Sequence, residues 1–226
     1  MPVCFSCAQT CNLFEISALE QDLACSDDHV KQLRELNEML ASPEISTVDK
    51  LRLGLLYALR FETSADLPLL KERMIEGGVP RVQVTLLDKM LQYAGQAQRP
   101  PGLYGERKGF LGRIKKNLKV GLAGVENVYT RHEPLLAKVL EAQLKGALND
   151  AHYPLLDASG AADASQDGSR PNQRMVVWMV GGTTYEESAH VASVNTASSG
   201  ASVVLGGSCV HNSSSFLREL AVAPIV

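Results

Sequence analysis

The chain has 226 residues, 45% hydrophobic, 5% aromatic and 21% charged, and 22 basic against 25 acidic side chains give a formal charge of −3. That excludes a disordered or fibrous chain and a protein whose whole surface is cationic for nucleic acid; the length suits one domain or two small ones. No stretch approaches the ~18 consecutive apolar residues of a membrane span, and Met1 to Phe14 lacks the form of a signal peptide, so a cytosolic or peripheral protein is expected.

In chain order, Ile16 to about Leu40 predicts one helix, with Ser17 and Glu20 as a capping box and Leu19, Leu23, Leu33, Leu36 and Leu40 at roughly helical spacing. Ser42-Pro43 ends it. Ser46 and Asp49 cap a second helix whose apolar face carries Val48, Leu51, Leu55, Leu56 and Leu59. Asp66-Leu67-Pro68 opens a third that stops at Gly77-Gly78, and Pro80 opens a fourth burying Val82, Leu86, Leu87, Met90 and Leu91. Gln96 to Gly109 has no apolar period and predicts a loop, and a basic segment follows it. From Thr130, with Glu133 three residues on, another helix runs to about Leu148.

Asp157 to Gln173 is Ala, Ser, Asp, Gly and Gln, which predicts a flexible insert. Beyond it the pattern changes class. Met175 to Val180 and Ser202 to Leu205 are continuous apolar runs flanking a helix capped by Thr183 or Thr184, which predicts a parallel strand pair buried on both faces. A last helix over Ser213 to Leu220 should cover one face of that sheet. The fold class is therefore α plus α/β: a helical domain, then the last strand–helix–strand unit and terminal helix of a parallel sheet domain. The expected divisions are 1–14, 15–156, 157–173 and 174–226.

Few residues suggest chemistry. Five cysteines are an odd count; Cys4, Cys7 and Cys11 crowd the start while Cys25 and Cys209 stand alone, which is no disulfide framework. The Cys4-x-x-Cys7-x-x-x-Cys11 spacing, with Cys25 or His29 as a fourth ligand, is an incomplete zinc or iron–sulfur pattern, and no metal or cofactor is expected. Gly181-Gly182-Thr183-Thr184, between a strand and a helix, could cradle phosphate, but it lacks the P-loop lysine and the third glycine of a dinucleotide fingerprint. Ser208, Cys209 and His211 follow Gly206-Gly207; residues two apart on a short loop are expected to point apart, and no placed acid orients the imidazole, so a turn is predicted there. Arg107, Lys108, Arg113, Lys115, Lys116 and Lys119 lie beside Phe110, Leu111, Ile114 and Leu118, giving one cationic and one apolar face at helical spacing. That helix could touch anionic lipid or an acidic partner helix, against the plainer reading of a solvated face. The pattern as a whole is not that of an enzyme.

Five strings carry a family likeness: Leu19-Glu-Gln-Asp-Leu-Ala24; Ile45 to Leu53 running into Leu56-Tyr57; Gly124-Val-Glu-Asn-Val-Tyr-Thr-Arg-His-Glu-Pro134; Val180-Gly-Gly-Thr-Thr-Tyr-Glu-Glu187; and Val204-Leu-Gly-Gly207 with His211-Asn212 and Ser215-Phe-Leu217. In order and spacing they resemble the C-terminal half of the Sec1/Munc18 (SM) proteins, and most closely the branch that serves vacuolar protein sorting and endosomal and trans-Golgi traffic. The resemblance covers about Phe14 to Leu220. It implies a non-enzymatic regulator of SNARE-mediated vesicle docking and fusion, peripheral on Golgi and endosomal membranes, whose partners are syntaxin-type and other SNARE proteins rather than nucleic acid or a small molecule. It also implies that Ile16 to Tyr153 is the later part of a helical insertion and Arg174 to Leu220 the end of a parallel sheet domain. The family's first domain and its main SNARE-contact motifs match nothing here, and Met1 to Leu13 departs from the family, so a truncated chain is expected. The rival reading is a small-molecule or nucleotide-binding α/β protein using the Gly181-Gly182 turn.

Overall fold

The computed structural model describes residues 12–99, 131–154, 156, 173–197 and 200–224. They form two compact units, residues 1–132 with 217–226, and residues 133–216.

The first unit is helical. In order it holds α1 (Leu13–Cys25), α2 (His29–Ala41), α3 (Thr47–Arg60), α4 (Leu67–Glu76), the single turn α5 (Arg81–Val84) and α6 (Leu86–Ala94). The one long helix predicted over Ile16 to Leu40 is two. Ser26, Asp27 and Asp28 interrupt it, because these short polar side chains compete for backbone hydrogen bonds. Asp28 caps α2 by accepting from the Lys31 amide at 3.1 Å. The predicted Ser17–Glu20 box does not form, since α1 already starts at Leu13. Gln32, fully buried, bridges the break by donating to the carbonyls of Asp22 (2.8 Å) and Ser26 (3.2 Å). Arg60 donates to the Ser26 carbonyl from the other side and pairs with Asp27.

The Ser46 cap of α3 forms as predicted, with the Asp49 amide donating to Ser46 Oγ at 3.2 Å and the hydroxyl donating back to the Asp49 carboxylate. The predicted single apolar face does not describe α3. It is surrounded: Leu51, Leu53, Leu55, Tyr57 and Ala58 are buried, whereas Val48 is exposed, because α1, α4 and α6 pack against different sides of it. Gly54 permits one of these contacts, since a Cβ there would stand 2.6 Å from Met74 Sδ on α4. Helix α4 ends as predicted at Gly77-Gly78. Gly78 takes a left-handed φ of 91°, and the Val79 amide reaches back to the Met74 carbonyl at 2.9 Å. Lys50, buried on α3, donates to the Gly77 carbonyl at 2.8 Å, placing a cation at the negative end of α4; burial lowers its pKa. Val82, expected in the core, is exposed on α5, and Val84 is buried instead.

The second unit holds α7 (Leu135–Leu144), β1 (Gln173–Met179), β2 (Thr183–Thr184), α8 (Tyr185–Ala197), β3 (Ala201–Gly207), β4 (Val210–His211) and the start of α9 (Ser213–Val222). Helix α7 is shorter than predicted, because the chain turns at Gly146 (φ 63°) before Leu148. It was expected with the preceding helices. It packs instead against α8, and Leu136 and Leu140 share a core with Val191 of α8 and Val203 of β3.

β1 and β3 pair in parallel, Val176 opposite Val204 and Trp178 opposite Gly206. The expectation that both faces are buried is corrected. Met175, Val177 and Leu205 pack on the α7–α8 core, while Val176, Trp178 and Val204 on the other face are 75%, 64% and 58% exposed, because the described helices of this unit cover one side only. Trp178 lies over Gly206, where a Cβ would stand 2.8 Å from the indole. β2 pairs in parallel with β4. Helix α9, expected over the sheet, has its last turns in the first unit, where Leu220 is buried and Lys89 donates to the Ala221 carbonyl at 2.7 Å.

Asn195 of α8 holds the outer edge of β3. Its amide donates to the Val203 carbonyl at 2.8 Å and its carbonyl accepts from the Val203 amide at 2.7 Å, so one side chain satisfies two strand groups that β1 cannot reach. Asn195→Ala is expected to lower the stability of this unit by about 1–3 kcal/mol in urea unfolding; an unchanged midpoint would show that the edge is held by other contacts.

Candidate functional site

The Gly181-Gly182 turn lies where α/β folds place ligands, and both glycines have positive φ, 96° and 109°. Sequence alone leaves its anion-binding capacity open; the structure decides it. Thr184 caps α8, with the Glu187 amide donating to its hydroxyl at 3.2 Å, and the Glu187 carboxylate folds back over the free amide end. One carboxylate oxygen accepts from the Thr184 amide (2.8 Å), the Thr183 hydroxyl (2.9 Å) and the Thr184 hydroxyl (3.2 Å). A carboxylate of the chain therefore occupies the position a phosphate would take at this helix start, which argues against the nucleotide-binding reading.

Beneath the same turn the structure corrects the expectation about Cys209 and His211. Their side chains do meet, Cys209 Sγ lying 3.1 Å from His211 Nε2. Val210–His211 is the extended strand β4, held to β2, and alternation along a strand puts residues two apart on the same side.

The central motif strings meet at a clamp in the first unit. The amides of Arg131 (2.9 Å) and His132 (2.6 Å) both donate to Gln21 Oε1, and the Arg131 guanidinium pairs with Asp22, to which Lys31 also donates at 2.8 Å. Burial works to raise the Asp22 pKa, but the hydrogen bonds from Arg131 and Lys31 outweigh it and hold the carboxyl below its ordinary value of 3.8. Motif residues of Leu19–Ala24 and Gly124–Pro134 are thus structural partners. Glu20 pairs with Arg52 of the Ile45–Leu53 string, and burial raises its pKa despite that cation.

Between α1 and α2 opens a groove of about 470 Å³ whose lining includes Glu15, Asp22, Lys31, Glu35 and Glu38. Sequence reasoning missed it, because its carboxylates come from two helices read there as one. His29, considered as a metal ligand, is bonded to the Tyr57 hydroxyl at 2.6 Å. Cys4, Cys7 and Cys11, the expected insert from Asp157 as far as Asn172, and the basic set Arg107, Lys108, Arg113, Lys115, Lys116 and Lys119 lie outside the described residues.

The sequence matches the Sec1 family over residues 3–219. The chain belongs to the Sec1 family. It is 37% identical over 211 residues to human vacuolar protein sorting-associated protein 45, and 40% identical over 209 residues to the Arabidopsis thaliana homologue, covering 92% of this chain and 35% of each relative. It thus spans about a third of the length of these relatives. Among solved structures, the SM protein Vps45 in complex with the Qa SNARE Tlg2 superposes with a TM-score of 0.76 at 36% identity, over 94% of this chain and 35% of that one. The Unc18–syntaxin 1 complex from Monosiga brevicollis shares the fold, with a TM-score of 0.65 at 17% identity over 93% of this chain and 36% of its match.

The clamp makes a pH prediction. A depressed carboxyl pKa stabilises the fold fully above the unfolded value and loses that contribution as pH falls through the folded one. Asp22→Asn should destabilise the chain by about 1–3 kcal/mol at pH 7, and the gap to the parent should close below pH 3.8. An equal gap at pH 7 and pH 3 would show that the charge of Asp22 is not what the clamp uses.

Proposed function

We propose that this chain is part of an SM regulator that binds syntaxin-type SNAREs and promotes their assembly in vacuolar, endosomal and trans-Golgi transport. The observation carrying this reading is the superposition on Vps45 bound to Tlg2 over nearly the whole chain at 36% identity. In this reading the first unit is the later part of the family's helical insertion and the second unit the end of its parallel sheet domain. The mechanism is surface complementarity with helical SNARE partners and involves no bond chemistry. The occupied helix start at Glu187 supports that reading over a nucleotide-driven one.

The protein would act in the cytoplasm, peripheral on Golgi and endosomal membranes. No helix among the described residues is long and apolar enough to cross a membrane, which is compatible with this placement. Its basic segment, Arg107, Lys108, Arg113, Lys115, Lys116 and Lys119, would supply a contact to anionic lipid or to an acidic partner helix.

A chimera tests the proposal. Residues 14–220 replace the matching third of the human relative, and the product is assayed for binding the Qa SNARE of that relative and for restoring cargo sorting in cells that lack it. Binding within about tenfold of the parent, together with restored sorting, is the expected outcome. A folded chimera that binds no SNARE and restores nothing would overturn it. Replacing the six basic residues by Gln in the same chimera should reduce flotation with anionic liposomes.

A further inference from the structure

The SNARE-binding reading leaves one cluster of reactive groups unused. Cys209 Sγ, His211 Nε2 and the Ser215 hydroxyl form a chain of contacts at the mouth of the Gly181-Gly182 turn. The sulfur lies 3.1 Å from Nε2, and Nδ1 of the same ring lies 3.2 Å from Ser215 Oγ.

Hydrogen-bond bookkeeping at Ser215 assigns the imidazole tautomer. The hydroxyl has one hydrogen, which it donates to the Asn212 carbonyl at 3.0 Å. It accepts the Asn212 amide at 3.0 Å, so its other lone pair is open to a donor, and His211 Nδ1 is the group in reach. With the hydroxyl hydrogen on the Asn212 carbonyl, Nδ1 carries the proton and the Nε2 lone pair faces the thiol. Ser215 is itself fixed, its amide donating to Asn212 Oδ1 at 2.8 Å. A base held against a thiol is the arrangement that lets the ring take the thiol proton as the sulfur attacks.

Access is built in. Cys209 is half-buried, and Gly182 crosses so close that a Cβ there would stand 2.7 Å from the sulfur and 2.8 Å from the ring. A Cβ on Gly181, by contrast, would meet nothing within 4 Å, and the sulfur lies 3.8 Å from the Gly181 carbonyl.

We propose that Cys209 is a nucleophilic thiol activated by His211, and that this turn is a modification site for peroxides and other soft electrophiles. With hydrogen peroxide, His211 Nε2 takes the thiol proton and the thiolate attacks one peroxide oxygen. The S–O bond forms as the O–O bond breaks, sulfur is oxidised to sulfenic acid, and the leaving hydroxide takes the proton back from His211 to become water. His211 is a positioning base and Ser215 fixes its tautomer.

Timed alkylation of the 226-residue chain by iodoacetamide, read by peptide mass spectrometry, tests this, with Cys25 as the internal reference. Cys209 should react at least tenfold faster than Cys25, and dimedone should trap a sulfenic acid at Cys209 after dilute peroxide. His211→Gln should bring the Cys209 rate close to that of Cys25, and Ser215→Ala should lower it severalfold. Circular dichroism and urea unfolding unchanged from the parent in both variants report an intact fold. A Cys209 rate at or below that of Cys25 would overturn the proposal, as would a fast rate that neither substitution lowers. So would a zinc ion on the purified chain whose removal is needed before Cys209 reacts.

Discussion

The first unit depends on the burial of one helix from all sides. α3 has neighbours around it, with α1, α4 and α6 packed against it and Leu53, Tyr57 and Ala58 wholly shielded from water. An apolar side chain transferred into such surroundings contributes about 1.5–3 kcal/mol, so a few leucines on this helix set the scale of the unit's stability. Enclosure also dictates the polar pattern. Lys50 finds the last carbonyl of the α4 turn, Arg52 finds Glu20, Arg60 finds the break between α1 and α2, and the buried Tyr57 hydroxyl finds His29. Lys50, Arg60 and Tyr57 thereby meet neighbouring elements where these begin or end, while Arg52 pairs with the middle of α1.

The second unit is held by local side-chain-to-backbone bonds more than by a deep core. Glu187 seals the start of α8, Asn195 seals the edge of β3, and Ser215 with Asn212 seals the start of α9. These caps leave α8 without a free anion site, which is why a glycine-rich turn in a ligand-binding position reads here as structural. The same economy brings Cys209 and His211 together, since β4 exists only as the partner of β2.

Much of this was legible in sequence wherever the signal was local. The Ser46 cap, the Gly77-Gly78 stop, the Thr184 cap and the parallel order of β1 and β3 all follow from residue types within a few positions of one another. What escaped depended on distant chain. α3 looked amphipathic because Leu53 and Tyr57 fall outside a single stripe, and only its several neighbours explain their burial. The break at Ser26 to Asp28 was masked by leucines that continue at compatible spacing on both sides, and the Arg60 and Gln32 contacts that stabilise it come from elsewhere. The apolar runs of β1 and β3 imply two covered faces, but the described helices of their unit cover one. At the candidate site, the glycines and threonines were visible; the decisive carboxylate was visible too, as a Thr-x-x-Glu pattern whose meaning lies in the cap it closes.

Native-state hydrogen exchange across the first unit tests the central role of α3 most directly. If its enclosure organises the unit, the α3 amides from Leu53 to Arg60 exchange slowest of all and only through global unfolding, while α5 and the ends of α6 open locally. Amides of α3 that exchange by local opening, as fast as those of α5, would contradict the account.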